Sequence, residues 1–529
     1  VAEKIEIKLN WFDRTVGFFS PTALIKRRKA RTYDKWLSTR KYEGADAGRR
    51  TDGWNTNNQS ANAEIATALP RVRDRARDLV RNNPYAARAV QVITNNVVGK
   101  GIPTEIKVDT RSEKSTREKK LNNIWKTWAE TTACDFEGVH TLAGLQRLAM
   151  RAVVESGEVL IRRRRVGRRT VTGANGKPTE IPPIQLQVLE SDFLSVDRRS
   201  GILPNGNQVI QGVEIDRQGK KVAYHLFMSH PGSNDLVFAS RFTTIRVPAN
   251  EILHLYRMDR PGQIRGMSWL ANIILRLRDF DLYEDAQLKQ QQCTAMFTAF
   301  VHDLEGLSED EEVQQEVEFG EKMEPGRIDM LPPGKTITLA KPPSVSNYGE
   351  YTSVILHSIA AGLGITYESM TGNLAKVNFS SGRMGWLEMH RNVVTWANNI
   401  MIAQMMRPTF TWFTNAIELM GESTKDMRAV HTPPRREMID PVKETQALKT
   451  AVRSGFKTQS QALRELGFDP DTFYEEKMAD DKTLDDNEIV LDTDPRKVNN
   501  VGNANSDHND DDDDDDDDDD KNDSTPQKS

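Results

Sequence analysis

Six guanidinium groups crowd into eight residues at Arg162, Arg163, Arg164, Arg165, Arg168 and Arg169. Such a run suits phosphate oxygens or an acidic partner surface; as a hairpin it has a simpler use, charged ends left in solvent. A second set, Lys376, Asn378, Ser380, Ser381 and Arg383, lies in a polar stretch. Its ammonium, amide, hydroxyl and guanidinium groups suit phosphate oxygens without reading bases. A third, Glu309, Asp310, Glu311 and Glu312, is acidic and fits a basic docking surface. The chemistry of enzymes is harder to find. The sequence has no Gly-x-x-x-x-Gly-Lys-Ser/Thr loop, His-Glu-x-x-His, Gly-x-Ser-x-Gly or Gly-x-Gly-x-x-Gly. Its nine histidines are scattered. Asp192 and Asp197 lack the histidine or third acid that would make them metal ligands. Cys134 and Cys293 form no CxxC motif and read as two buried thiols in a reducing compartment. No cofactor and no metal site is expected, and the balance favours a structural or nucleic-acid-handling component.

Composition narrows the class further. In 529 residues, 37% are hydrophobic and 28% charged, which is enough to build cores. The N-terminus has no apolar stretch of the kind a secretory signal needs, and nothing approaches a membrane-spanning run. The net charge of -5 conceals a division: from Asp507 to Ser529 thirteen aspartates face two lysines, a segment charge of -11, which leaves +6 on the rest. Eleven of those aspartates are consecutive, at 510–520. So many adjacent like charges resist compaction, and disorder is expected over the polyacidic tail, 481–529.

The elements that must position these groups follow from periodicity. Residues 1–65 read as a partly extended N-terminal arm carrying a basic cluster, Lys26 to Lys29, and a polar stretch around 44–62. Folded structure is expected from near Pro70; Pro70 and Pro84 suit first helical turns, with Asn83 capping the second. Ala87, Val90, Ile93 and Val97 recur at helical spacing, Leu121, Ile124, Trp125 and Trp128 give a third helix, and 142–154 a fourth. From 159 to 256 short apolar bursts between Gly, Pro and Asn predict strands, with the arginine run inside them. A long helix over 267–301 carries a stripe of Trp269, Ile273, Leu277 and Phe280 and mixed charge elsewhere. An acidic insertion with a turn and strand over 325–339 leads to a helix over 348–364. The polar loop around 370–382 precedes one very long helix, 383–420, which Pro408 should kink. Short helices fill 440–479.

Several strings in this order resemble the portal proteins of tailed bacteriophages, in particular the lambda-type family. They are Arg77-Asp-Leu-Val-Arg-Asn-Asn-Pro-Tyr-Ala-Ala-Arg-Ala-Val with Gly99-Lys-Gly101, Gly266-Met-Ser-Trp-Leu270, Leu331-Pro-Pro-Gly334, Ile359-Ala-Ala-Gly-Leu-Gly-Ile365, and Thr371-Gly372 followed by Asn378-Phe-Ser-Ser381. Asn373 to Lys376 departs from the family pattern, and the polyacidic tail lies outside the likeness. The resemblance implies an α+β, predominantly helical fold: a wing at 66–266, a first stem helix at 267–302, a clip at 303–346, a second stem helix at 347–365, a channel loop at 366–382, a long kinked helix at 383–421 and a crown at 422–480. It also implies a homo-oligomeric ring, usually of twelve, at one vertex of the capsid. Double-stranded DNA is packaged through that ring by the terminase, whose large subunit is an implied partner, independently of sequence, and later ejected. Major capsid and head-completion or adaptor proteins are the other implied partners, no membrane is involved, and the setting is the virion, with host cytoplasm during assembly. On this mapping Lys376, Asn378, Ser380, Ser381 and Arg383 belong to the DNA channel loop, and Glu309 to Glu312 to the terminase-docking clip. Two other classes stay open from the sequence: a DNA-processing enzyme of the packaging apparatus, such as a terminase or nuclease, and a monomeric nucleic-acid-binding module using the basic clusters.

Overall fold

Alanine-rich sequence starts the first helix earlier than Pro70. In the computed structural model α1 spans Ala61–Asn82 with Pro70 inside it. The good helix formers of Ala61 to Leu69 outweigh the single backbone bond that the proline removes. The structure describes residues 58–108, 114–173, 176–195, 201–233, 243–295, 299–303, 335–339, 348–434, 440–468 and 470–489, with isolated positions before 58 and at 438 and 491. The chain divides into two units, the second running from Ile65 onward, and it is the second that is described below. Of the arm expected at 1–65, the structure describes 58–65 and isolated earlier positions, and 61–65 already belong to α1.

Asn83 ends α1 and caps α2 (Pro84–Val97): its side chain accepts from the Ala86 amide at 2.9 Å, with proline in the first turn. Next come β1 (Thr104–Val108), α3 (Lys114–Glu130) and α4 (Leu142–Ser156). The strand-rich segment holds β2 (Glu158–Arg165), β3 (Arg169–Thr172), β4 (Pro178–Ile181), β5 (Ile184–Glu190), β6 (Gly201–Ile202), β7 (Gln208–Ile210), β8 (Val213–Ile215), β9 (Lys221–Phe227), β10 (Thr244–Pro248) and β11 (Ile252–Tyr256). β11, β2 and β5 form one antiparallel sheet, and β10 through β6 a second; β3 and β4 make a separate hairpin. The two larger sheets enclose a small core of Leu160, Leu194, Val213, Tyr224, Leu226 and Val247.

Between β11 and the next helix the chain is fastened to β2. Arg265 and Glu158 are both fully buried and paired through two guanidinium nitrogens, Nε at 2.8 Å and Nη2 at 2.5 Å from Glu158 Oε1. The second carboxylate oxygen accepts from the Gly266 amide at 2.8 Å and meets His254 Nε2 at 2.9 Å. Gly157 and Gly266 cross so closely that a Cβ on Gly266 would lie 2.2 Å from the Gly157 carbonyl oxygen. The Trp269 amide then donates to the Val154 carbonyl. With backbone groups committed to these contacts, regular helix begins only at Ile274, so α5 spans Ile274–Ala295 and not the whole of 267–301. Its expected apolar stripe is buried: Trp269, Ile273, Leu277 and Phe280 are each 2% exposed or less.

The chain beyond α5 turns to strand. β12 (Ala299–Asp303) pairs antiparallel with β13 (Lys335–Leu339). Residues 304–334 and 340–347 lie outside the described residues. α6 (Tyr348–Leu363) returns antiparallel along α5: Asn272 donates to the Gly362 carbonyl, Arg276 to Ser358, and Tyr348 to Glu284. Gly362 permits this approach, since a Cβ there would sit 2.5 Å from Ile273 Cγ2.

α7 (Tyr367–Thr371) precedes a short loop, and α8 (Phe379–Trp396) begins four positions before the expected 383. A ten-residue π-helical segment, Ala397–Met406, joins α8 to α9 (Arg407–Glu418). Pro408 falls in the first turn of α9, immediately after this change of winding. Phe410 and Phe413 of α9 pack edge-on against Trp125 of α3, at 5.9 and 4.8 Å between centroids. β14 (Met427–His431) then pairs with β1 throughout, so these residues return to the first helices. Neither strand is evident from the sequence; β1 follows Gly101 and Pro103, and β14 follows Asp426 in a left-handed conformation. Three helices close the described chain: α10 (Pro441–Arg453), α11 (Gln459–Glu465) and α12 (Pro470–Asp486). α12 passes the expected start of the tail at 481, aided by an i,i+4 pair of Lys477 with Asp481 at 2.6 Å. No described helix is long and apolar enough to cross a membrane.

Candidate nucleic-acid interface

The loop before α8 is tighter than its composition suggests. Thr366 caps α7, Gly372 ends it at φ +73°, and the Asn373 side chain accepts from the Ala375 amide at 3.0 Å. Asn378 and Ser381 form a capping box: Asn378 Oδ1 accepts from the Ser381 amide at 2.8 Å, and Ser381 Oγ from the Asn378 amide at 3.2 Å. Two of the five groups expected to face phosphates therefore fix the start of α8. Ser380 and Lys376 are exposed, and Lys376 makes no hydrogen bond or ion pair among the described residues. Arg383 is partly exposed and lies 4.0 Å from Glu444 in the first turn of α10. That turn adds a cation absent from the sequence reading: Lys443 is exposed, sits 6.0 Å from the Phe379 ring centroid and pairs with Asp440 at 3.1 Å. Its signal, Asp440-Pro-Val-Lys443, reads as a capped helix start and gives no hint of Phe379, 64 residues upstream.

The arginine run behaves differently. β2 alternates its faces, so Arg163 and Arg165 point one way and Arg162 and Arg164 the other. Arg163 and Arg165 share Glu251, at 3.8 and 3.4 Å, and Arg163 lies over the Trp412 ring. Arg164 donates to Gln187 at 2.7 Å and covers the Phe136 ring. Arg168 donates to the Leu419 carbonyl and Arg169 to that of Ala133. The pleat splits the run into two sets with separate partners, in place of a single patch. Glu309, Asp310, Glu311 and Glu312 lie outside the described residues, as do Arg27 and Arg28 of the N-terminal basic cluster.

Asp192 meets Arg73 at 2.9 Å and Arg77 at 2.7 Å; Arg77 also reaches Glu190 at 3.1 Å, and His230 approaches Glu190 at 3.1 Å. Glu190, Asp192 and His230 have ligand atoms within 4.8 Å of one another, but Arg77 already bridges the two carboxylates. Despite the cost of its burial, the Arg77 and Arg73 charges hold the Asp192 carboxyl below its usual range. Asp197 lies outside the described residues. Cys134 is buried, which pushes its thiol up to about 12, far from the thiolate a nucleophile needs.

The described residues combine a helical hairpin, antiparallel sheets and cations gathered at a helix start. The family model for phage portal proteins of the lambda family matches residues 47–396. The chain belongs to that family. It is similar to the probable portal protein of Halomonas phage phiHAP-1, 28% identical over 457 residues that cover 82% of this chain and 85% of the relative. It is also similar to portal protein B of Escherichia phage lambda, 23% identical over 390 residues, 66% of this chain and 70% of the relative. Among solved structures, the neck of a native GTA particle computed with C12 symmetry aligns with a TM-score of 0.43 and 14% identity, over 75% of this chain and 94% of that one. Portal proteins of this family are structural and not enzymatic. The family match ends at Trp396, the last residue of α8, so the loop and the capped start of that helix fall inside the portal region.

Proposed function

We propose that the chain is one subunit of a portal ring, usually of twelve copies, at a single capsid vertex of a phage particle. Double-stranded DNA passes through that ring, driven inward by the terminase and released outward later. The observation that carries this reading is family membership over 350 consecutive positions, 47–396. The antiparallel pair α5 and α6 supports it as a stem: it is long, and it keeps Leu275, Leu282, Tyr351 and Val354 at least half exposed on the isolated chain. A contact repeated around a closed ring would bury such residues. The segment 303–346, with Glu309 to Glu312, is the clip that meets the terminase and afterwards the head-completion proteins. Residues 66–266 form the wing and 422–480 the crown.

In this arrangement the loop before α8 faces the DNA. Lys376 and Arg383 supply charge, joined by Lys443, while Asn378 and Ser381 hold the helix start that presents them. Contacts by exposed ammonium and guanidinium groups are weak and read no sequence, as a conduit that must let DNA slide requires. Negative-stain imaging of the purified chain tests the ring: annular particles with a central hole are expected, and dispersed small particles would overturn the assignment. Packaging by a Lys376→Ala/Arg383→Ala double mutant tests the loop. A fall in packaged or retained DNA with rings intact is expected; unchanged packaging would remove the loop from the DNA path.

A further inference from the structure

One side of α10 is left uncovered by the rest of the described chain. Val442, Ala447, Thr450, Ala451 and Phe456 border a groove of about 660 Å³ whose surface is almost wholly apolar and which no carboxylate lines. Val442 is 79% and Phe456 87% exposed. Lys449 and Arg453 stand seven and eleven residues after Val442, which puts them on its side of the helix, at the rim of the groove. Both are exposed and make no hydrogen bond or ion pair among the described residues. Glu444, the one acid of α10, lies 4.0 Å from Arg383. A phosphodiester backbone gains nothing from an apolar floor. A floor of this kind with a cationic rim fits an acidic helix that carries a large apolar side chain.

The chain itself carries such a helix. α12 has seven acids against two lysines, and its Met478 is 71% exposed. Helical spacing places Glu475, Asp485 and Asp486 on the side of Met478, with Lys482. Asp486 makes no hydrogen bond or ion pair among the described residues. Glu475 lies 3.7 Å from Lys119 with both side chains about two-thirds exposed, a pair that costs little to exchange. Within one chain the two halves do not cover each other: α11 packs against both α10 and α12, while Met478 and the groove stay open. We propose that the groove of α10 seats α12 of a neighbouring copy of this chain, with Met478 over Ala447 and Thr450 and with Lys449 and Arg453 meeting the acids beside it. Groove and occupant are different surfaces, so a pair of copies leaves one of each unused, and only a closed rotation satisfies all of them. The contact deepens the ring reading above and rests on it for closure alone.

The test combines Ala447→Cys with Met478→Cys in the full chain and oxidises this variant beside each single variant and the unaltered chain, which has Cys134 and Cys293 of its own. On a denaturing gel the double variant is expected to give a ladder of two, three and more linked chains, and each single variant the pattern of the unaltered chain. A link confined within single chains overturns the assignment, because the chain's own α12 then fills the groove. Dimers in a single variant overturn it as well, because like surfaces then pair, and so does a ladder no longer than that of the unaltered chain. Charge reversal gives a separate measurement. Lys449→Glu with Arg453→Glu should lower the yield of rings at low salt at least about ten-fold, since like charges are brought together, and adding Glu475→Lys and Asp486→Lys to the same chain should restore it. Rings that persist through the first pair, or a loss that the second pair leaves in place, refute the contact. Rings without the ladder keep the portal assignment and remove this interface, whereas a ladder without rings keeps the interface and removes the closed ring.

Discussion

Replacing Arg265 by methionine removes one half of the buried pair that fastens the start of α5 to β2. Both side chains are fully buried, and Glu158 retains only the Gly266 amide and His254 as partners. Removing one member of such a pair typically costs about 3–5 kcal/mol, because the other charge is left without compensation. In the native protein Glu158 pays for its burial, but the adjacent Arg265 and His254 hold its carboxyl far below the usual range. A carboxyl with a lowered folded pKa stabilises the fold above its unfolded value of about 4.3 and loses that contribution as pH falls through the folded value.

In the Arg265→Met variant the sign reverses. Glu158 is then buried without its cation, and the site takes up a proton, either on the carboxyl or on His254. The cost of the substitution should therefore be largest near pH 7 and shrink on acidification toward pH 4. A second substitution, Glu158→Gln, in the same chain leaves neutral groups of similar size and should recover most of the loss, as buried pairs replaced together often do. Urea unfolding followed by tryptophan fluorescence reports the change, since Trp269 lies next to the junction and Arg257 stacks over it. A single-mutant cost below about 1 kcal/mol, or a double mutant less stable than the single one, would refute the view that Arg265 is there to neutralise Glu158.

Other substitutions test separate contacts. Gly362→Ala places a Cβ 2.5 Å from Ile273 Cγ2, and thermal unfolding should show an overpacking cost of about 1–3 kcal/mol. Asn378→Ala removes the capping box of α8 and should cost about 0.5–2 kcal/mol, measured by hydrogen exchange at the first turn; an unchanged exchange rate there would exclude the cap as the anchor of the loop. Burial lowers His254 to about 4, against the Glu158 hydrogen bond, which raises it. The unfolded chain therefore binds a proton below about pH 6.5 that the folded chain refuses until about pH 4, and stability should decline across that interval. His254→Gln should flatten the decline.

Much of the helical framework is legible in the residues because its signals are local. Asn83-Pro84 announces a helix start, and Leu277 and Phe280 of the apolar stripe mark the buried face of α5. The pairs that set the rest in place are distant. β1 and β14 are short and lie more than 300 residues apart, and nothing in either strand names its partner. Glu158 and Arg265 look like ordinary surface charges until the two glycines bring their chains together. Local signals were also available where the candidate site differs from expectation: Asn378-Phe-Ser-Ser381 has the spacing of a capping box, and alternation along a strand divides consecutive arginines between two faces.

That division bears on the proposed contact with DNA. Asn378 and Ser381 commit polar groups to the backbone of α8, so on the proposed reading the groups left to meet phosphates are the cations Lys376, Arg383 and Lys443 with the Ser380 hydroxyl, set among the exposed Leu374, Phe379 and Met384. Anions meeting such a surface find charge without directional acceptors or donors arranged to match a base edge, and so find no preferred register. The arginine run, which by density of charge is the stronger candidate, is held to Glu251, Gln187 and two aromatic rings and has less freedom to follow a moving backbone. On the reading proposed above, sliding contact needs charge that no partner holds, on a fixed support: Lys376 at the capped start of α8 makes no hydrogen bond or ion pair among the described residues, whereas Arg165 and Arg168, though more exposed than Arg383, are paired with Glu251 and Glu180.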